Sequence, residues 1–166
     1  MEWNFIINVL MRMGFSTCVS DLIFRCVSSS WLDISFLGKT YGFFKSTRGL
    51  RQGDPLSPTI FIQSQELISR NINKSISSGN ILPYRCRSLS NIISHIMFVD
   101  DTVIFMNAST RSVIGMNEVL ESYCNWSGQI INRSKSSIYI SQFFSDKRVS
   151  MISSSMGIQR RSLLMV

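Results

Sequence analysis

Two adjacent carboxylates, Asp100 and Asp101, are the residues of this sequence best suited to carry chemistry. They lie between two short apolar runs, Ile96–Val99 and Val103–Phe105. Each run is too short for a helix and is rich in β-branched and aromatic residues, so we predict a hairpin with buried sides. Because Asp is common in turns, an ordinary Asp-Asp turn explains the pair equally well. The functional alternative is that two hard oxygen ligands on a rigid hairpin hold Mg²⁺ for phosphoryl transfer.

The second distinctive segment is Arg48–Pro58, which reads RGLRQGDPLSP. Two glycines, two prolines and two arginines in eleven residues indicate a shaped loop instead of a regular element. A helix is expected at 58–76, with Ser57 as its N-cap. Its free N–H groups, with Arg48 and Arg51 just upstream, predict a phosphate-binding corner. The alternative is a loop that only turns the chain and leaves its arginines solvated.

The elements around these segments predict an α+β fold, with helices packed on a small, mainly antiparallel sheet. A hairpin should turn at Gly38-Lys39, and a strand should cover Ser137–Ser141. His95 and Lys135 stand alone in the sequence and carry no chemistry by pattern, so His95 is interpreted as structural and Lys135 as a solvated charge. Further helices are expected at 3–13, 17–30, 110–126 and 146–156. The inward residues predicted for the second of these are Val19, Leu22, Ile23, Cys26 and Val27.

The composition of the chain limits the classes of function and partner that the sequence allows. The chain has 166 residues, 45% of them apolar, and a net charge of +7. This charge suits a polyanion such as nucleic acid, and Arg85 and Arg87 add to the arginines already named. The cysteines show no zinc-ligand spacing, so free thiols are expected at Cys18, Cys26, Cys86 and Cys124. With no signal peptide and no apolar run of membrane-spanning length, the sequence predicts an intracellular protein without a membrane partner.

Three motifs carry a family resemblance: Arg48–Pro58, Phe98–Asp101 (FVDD) and Ser127–Ser136 (SGQIINRSKS). In this order and at this spacing they resemble consecutive motifs of the palm of a reverse transcriptase. The sequence is most similar to the non-LTR, LINE-type retrotransposon enzymes of plants, and the likeness covers nearly the whole chain. Val99 departs from the alanine that is usual before the two acids in the LINE group.

The resemblance implies an RNA-directed DNA polymerase that uses two metal ions, an RNA template, a DNA primer and deoxynucleotides. It implies that Asp100 and Asp101 coordinate Mg²⁺. It places Arg48, Arg51, Gln52 and Gly53 near the incoming nucleotide and the template. It also implies that Lys135 lies near the pyrophosphate leaving group as a general acid. A product of an active retroelement would act in the nucleus.

The resemblance also predicts that residues 1–166 form only part of such a domain. The family's first metal-binding aspartate strand, the fingers, the primer grip and the thumb find no counterpart in the sequence. Since two-metal catalysis needs carboxylates from two strands, we expect this chain alone to be inactive. The alternative is a catalytically dead retroelement remnant that at most binds nucleic acid through its basic surface.

Overall fold

The computed structural model describes residues 1–85 and 93–161. The chain divides into two compact units, and each is described here by itself. The first unit comprises Met1–Leu67 and Asn125–Gln129, and the second comprises Ile68–Cys124 and Ile130–Val166. In chain order, the described elements are α1 (Trp3–Arg12), α2 (Thr17–Ser28), β1 (Trp31–Phe36), β2 (Lys39–Lys45), α3 (Ser57–Ser77), β3 (His95–Phe98), β4 (Asp101–Ile104), α4 (Thr110–Ser127), β5 (Ser137–Ile138), α5 (Asp146–Met156) and β6 (Gln159–Arg160).

Helices α1 and α2 begin and end close to the predicted residues, but the face predicted to be buried on α2 is wrong. The Ser16 hydroxyl caps α2 by accepting a hydrogen bond from the Val19 backbone N–H. On this helix only Ser20 is buried, while Leu22 is 60% exposed and Val19 and Cys26 are also exposed. A small residue at the contact lets two helices approach closely. Ser20 therefore takes the inward position, with Ile23 and Val27 partly buried, whereas the other three positions predicted to face inward are exposed.

Strands β1 and β2 form the first hairpin, which is antiparallel. Its turn consists of Leu37 and Gly38, so the predicted turn at Gly38-Lys39 is wrong by one residue. Both turn residues have positive φ, 50° and 74°, which is the pattern of a type I′ turn. That turn matches the right-handed twist of the flanking strands, and this explains why Leu37 accepts a conformation that glycine usually takes.

Helices α3 and α4 supply much of the buried surface. In α3 the buried residues recur at every fourth position, as Ile60, Ser64, Ile68 and Ile72. In α4 they are Ser112, Val113, Met116, Val119, Tyr123 and Ser127. A side chain at Gly115 would place its Cβ 2.9 Å from the Asn80 carbonyl oxygen, so only glycine fits where α4 passes this backbone.

The C-terminal part of the second unit holds a ladder that was only partly predicted. Strand β5 covers two residues instead of the five expected at 137–141. Its partner is β6, which the sequence did not predict, and the two strands are parallel. Between them, α5 ends at Gly157 with φ 63°, and the Arg133 guanidinium donates to the Met156 carbonyl at 2.9 Å. A basic side chain thereby satisfies an otherwise unpaired carbonyl at the helix end.

The fold is α+β, as predicted, with helices and small sheets that are mainly antiparallel. Among the described residues the sheet is divided into three two-stranded ladders, two antiparallel and one parallel. Cys18, Cys26 and Cys124 are free thiols, whereas Cys86 and Arg87 lie outside the described residues. No helix within residues 1–85 and 93–161 has both the length and the apolar character that crossing a membrane requires.

Candidate active site

The two acids lie at the turn of the second hairpin, formed by β3 and β4. The strands pair antiparallel, with His95 opposite Ile104 and Phe98 opposite Asp101. Val99 and Asp100 therefore form the two-residue turn, and Asp101 is already the first residue of β4. Both carboxylates are exposed to solvent. The predicted hairpin is confirmed, and adjacent carboxylates stand at its accessible end.

The prediction that both sides of this hairpin are buried is wrong. Ile96 is 52% exposed, Phe98 76% and Val103 52%. Pairing places Ile96 opposite Val103 and Phe98 opposite Asp101, so these side chains share one face of the ladder. The opposite face is the one that packs, because His95, Met97 and Ile104 are the partly buried positions. The sequence pattern of two apolar runs around a polar pair predicts the hairpin, but it does not show whether one face of the hairpin or both faces are buried.

Val99 has a strained backbone. Its φ is 52°, a region that β-branched residues rarely adopt, while Asp100 beside it has no positive φ. A positive φ at the first position of a two-residue turn normally favours glycine. The strain costs on the order of 1–2 kcal/mol and must be offset by the surrounding structure.

Hydrogen bonds dock the hairpin onto α3. The His95 ring nitrogens lie 2.8 Å from two hydroxyls, Nε2 from Ser69 Oγ and Nδ1 from Ser94 Oγ. The Ser94 hydroxyl in turn donates to Asn73 Oδ1 at 3.4 Å, and the Phe105 N–H donates to the Ser94 carbonyl at 2.8 Å. His95 thus holds the hairpin in place, in agreement with its interpretation as a structural residue.

The donors at the turn fit Mg²⁺ in chemistry, since this ion prefers carboxylate oxygens and keeps several waters. Within the described ranges, however, no group of three or more His, Cys, Asp or Glu residues is arranged to hold a metal ion. Asp100 and Asp101 therefore offer two solvent-exposed carboxylate ligands at the end of one hairpin, without a third protein ligand among the described residues. A dedicated cage is not formed by the described residues.

The glycine-arginine loop of the first unit is anchored to neighbouring elements by its backbone and by its arginines. The Gly49 N–H donates to the Met1 carbonyl at 2.8 Å, and Trp3 Nε1 donates to the Gly49 carbonyl at 2.7 Å. The Arg48 guanidinium lies 3.8 Å from the Glu2 carboxylate. Partial burial lowers the pKa of the Met1 amine, with Glu2 opposing the shift and Arg48 adding to it. Arg51 donates to the Ser30 hydroxyl. Both arginines are therefore exposed to solvent but also have a partner within the protein.

The loop leads directly into α3. The Ile60 N–H donates to the Leu56 carbonyl at 3.0 Å, so Leu56 occupies the N-cap position and the predicted Ser57 cap is wrong by one residue. The Asp54 carboxylate accepts from the Leu56 N–H at 2.8 Å. An acid at this helix start competes with a bound phosphate for the same positive end. Gln52 and Gly53 are exposed beside it.

Lys135 lies in a turn that Asn132 organises. The Asn132 side-chain oxygen accepts from the Ser134 hydroxyl at 2.7 Å and from the Lys135 N–H at 3.2 Å. The Asn132 carbonyl accepts from the Ser136 N–H and hydroxyl. Lys135 is exposed and lies two residues before the start of β5, and the hydrogen bonds of this turn fix its backbone while its ammonium group remains accessible.

The predicted site residues are divided between the two units. Asp100 and Asp101 share one hairpin, and Lys135 belongs to the same unit, whereas Arg48, Arg51, Gln52 and Gly53 belong to the other unit. Three supporting residues were missed by sequence reasoning: Ser30, Ser69 and Asn132. Ser30 and Ser69 contact residues 21 and 26 positions away, which no local pattern predicts. The Asn-x-Ser-Lys spacing does predict the side-chain turn at Asn132.

Comparison with known proteins relates this chain to one family and to a plant protein. The family model described as Reverse transcriptase (RNA-dependent DNA polymerase) matches residues 1–156, nearly the whole chain. A protein of Arabidopsis thaliana, named as an uncharacterized mitochondrial protein, is 34% identical over 90 residues. That alignment covers 54% of this chain and 66% of the relative, just under two thirds of the relative's length.

Proposed function

Because the chain belongs to the reverse transcriptase family, we propose that it is the palm segment of a LINE-type, RNA-directed DNA polymerase. Its substrates would be an RNA template, a DNA primer and deoxynucleotides. A product of an active element would work in the nucleus. The observation that carries the proposal is the β3–β4 hairpin, which holds Asp100 and Asp101 side by side at a strained, exposed turn.

Asp100 and Asp101 would hold Mg²⁺, which when bound supplies positive charge to a phosphoryl group under attack. The protein's own contribution is position. His95 and Ser94 fix the hairpin on α3, so the two carboxylates are presented by a supported element. A well-ordered ligand pair is what phosphoryl transfer requires, because positioning and electrostatics supply most of its rate.

The roles proposed for the remaining residues follow their chemistry. Lys135 is an exposed ammonium on a fixed turn, suited to donate a proton to a leaving pyrophosphate. Arg48 and Arg51 would bind phosphates of the nucleotide or the template, with Gln52 and Gly53 beside them. For Arg48 and Arg51 this means exchanging their contacts with Glu2 and Ser30 for the ligand.

A second candidate function is nucleic-acid binding without catalysis, as expected of a retroelement remnant. The second unit favours it, since it carries eleven Lys and Arg against five Asp and Glu, a net charge of +6. Such a surface attracts phosphate backbones without any metal. The two candidates differ in whether Asp100 and Asp101 bind a divalent cation.

The test is a Mn²⁺ titration of the ¹⁵N-labelled chain, with Mn²⁺ as a paramagnetic substitute for Mg²⁺. We expect selective broadening of the amide signals of Val99 to Thr102, because bound Mn²⁺ would lie within a few ångströms of them. The Asp100→Asn, Asp101→Asn double variant should lose this broadening. A matched variant, Glu118→Gln with Glu121→Gln, removes two exposed acids from α4 in the same unit and should retain it.

Primer extension on an RNA template with Mg²⁺ is the companion assay. We expect no extension by the 166-residue chain, since its described residues supply the hairpin carboxylates without a third metal ligand. Extension that disappears in the Asp100→Asn, Asp101→Asn variant would contradict this expectation and would establish the acids as ligands. In the Mn²⁺ titration, equal broadening of the hairpin amides in the Asp100→Asn, Asp101→Asn variant and in the α4 control would contradict metal binding by the two acids. Nucleic-acid binding without catalysis would then be the remaining function.

A further inference from the structure

The positive charge of the chain is unevenly distributed. The first unit carries six Lys and Arg against five Asp and Glu, a net charge of +1. Within the second unit, residues 130–161 alone carry six Lys and Arg against one acid, Asp146. This C-terminal segment therefore concentrates most of the charge that favours a polyanion partner.

Two contacts bring the charges of this segment onto one region. Arg161 donates its N–H to the Ile138 carbonyl at 2.9 Å, which places the end of β6 beside the end of β5. Arg160 reaches Asp146 at 3.6 Å, which places β6 beside the start of α5. Lys147 follows Asp146, and it and Arg161 are exposed. Among the described residues neither of these two forms an ion pair, so both remain available for phosphates.

Aromatic rings lie among these charges. Tyr139 follows β5 and is 55% exposed, and Phe143 precedes α5 and is 91% exposed. An almost fully exposed phenylalanine gains nothing from folding and exposes apolar surface to water. Its neighbour Phe144 is used differently, since the Arg148 guanidinium covers its ring at 5.6 Å. Arg148 also donates to the Ala108 carbonyl at 3.1 Å, so this corner is held in place.

We propose that the basic-aromatic surface formed by Tyr139, Phe143, Lys147, Arg160 and Arg161 binds single-stranded nucleic acid. Lys147 and Arg161 would contact phosphates directly, and Arg160 would reach one by exchanging its contact with Asp146. Phe143 and Tyr139 would stack on unpaired bases, whose faces a duplex does not offer. The proposal rests on the nucleic-acid partner of the proposed function, and it assigns that partner to residues other than the hairpin acids and Lys135.

A single strand fits this surface better than an anionic membrane does. Insertion into a bilayer favours a continuous apolar face along an amphipathic helix. On α5 three of the four apolar residues, Val149, Ile152 and Met156, are buried, and Met151 alone is exposed, at 48%, so the helix presents no continuous apolar face. The exposed apolar groups of the surface are separate rings in loops beside the charges, which is the arrangement of a stacking platform.

The experiment measures fluorescence anisotropy of labelled dT20 and rU20 with the full 166-residue chain over a range of salt concentrations. The Lys147→Ala, Arg161→Ala pair should weaken binding at least about tenfold at low salt and lower the salt slope by about two. A matched control, Lys39→Ala with Lys45→Ala, removes the same charge from β2 in the first unit and should change binding less than about twofold. Weaker binding of dT20, of rU20 or of both by the Lys147→Ala, Arg161→Ala pair supports the proposed surface. Which oligonucleotide is affected shows whether the surface binds DNA, RNA or both.

The ring is tested separately. Phe143→Leu keeps an apolar side chain and should weaken binding about fivefold or more, whereas Phe143→Trp keeps a ring and should retain binding. Circular dichroism and a urea transition establish that each variant is folded. Equal losses in the charge pair and its control would overturn the surface but leave the nucleic-acid partner of the proposed function intact. A folded wild type that binds neither oligonucleotide would overturn both.

The last experiment tests the membrane alternative with vesicles that contain phosphatidylserine. We expect their sedimentation with the chain to be unaffected by Phe143→Leu. A loss of vesicle binding in this variant, with oligonucleotide binding unchanged, would overturn the proposal in favour of a membrane surface.

Discussion

The two antiparallel hairpins of this chain are built alike and used differently. Each has a two-residue turn that begins with a non-glycine residue at positive φ, Leu37 in the first and Val99 in the second. In the first, glycine follows and the strands are exposed along almost their whole length. In the second, Asp100 follows, and hydrogen bonds from His95 and Ser94 tie the strands to α3.

The difference concerns what each hairpin supports. The first is stabilised within itself, by the stacking of Trp31 on Phe43 at 4.8 Å between ring centroids and by a bulge near Gly42. Both turns hold a non-glycine residue at positive φ, but in the second this residue is the β-branched Val99 and the hairpin is also held from outside, which is the pattern expected where a turn positions functional groups. An observed outlier beside two carboxylates thus points to the same site as the sequence motif.

The largest effect should come from removing the support of the second hairpin. His95→Ala leaves the Ser69 and Ser94 hydroxyls without their ring partner in a half-buried place, and it removes the ring itself. We expect the free energy of unfolding to fall by about 2 kcal/mol. Urea denaturation monitored by circular dichroism measures it. A change below about 0.5 kcal/mol would mean that the hairpin does not depend on this contact.

An intermediate effect is expected in the first hairpin. Trp31 and Phe43 are 54% and 72% exposed, so their stack contributes less than a buried contact would. Aromatic pairs add about 0.5–1.5 kcal/mol beyond buried area, and the exposed setting favours the lower part of that range. A double-mutant cycle of Trp31→Ala and Phe43→Ala should give a coupling of about 0.5–1 kcal/mol. A coupling near zero would show that the bulge alone fixes this hairpin.

The sequence predicted most of what is local. Helix ends marked by Ser16, Gly14 and Gly157 were placed within a residue, and so was the acidic hairpin, because caps and turns depend on a few neighbouring residues. What failed depends on distant partners. The buried face of α2 was misassigned because Ser20 turns inward, and β6 was missed because its two residues pair only with β5.

The candidate site divides in the same way. Residue types and their order predicted Asp100 and Asp101 as ligands, and the family resemblance predicted Lys135, and these roles stay predictions. No local pattern predicted that Arg51 would donate to Ser30 or that Ser69 would contact His95, because those pairs are more than twenty residues apart. Chemistry is encoded in side-chain type, whereas support is encoded in the packing of distant segments.

The smallest expected effect concerns the turns themselves. Val99→Gly relieves a backbone strain of on the order of 1–2 kcal/mol, but glycine adds conformational freedom to the unfolded chain that costs about 0.5–1 kcal/mol. Val99 is 65% exposed, so little apolar contact is lost. We therefore expect the free energy of unfolding to rise by about 0.5 kcal/mol, measured as a shift of the urea midpoint at constant slope.

Leu37→Gly is the matched change in the other hairpin. The γ-branched side chain of leucine is less strained at positive φ than that of valine, so the gain in stability should be smaller. If the two variants were equal in stability, the β-branched residue before the acids would carry no special strain. If Val99→Gly were more stable yet lost the Mn²⁺ broadening of the hairpin amides, the strained turn would be what positions the carboxylates.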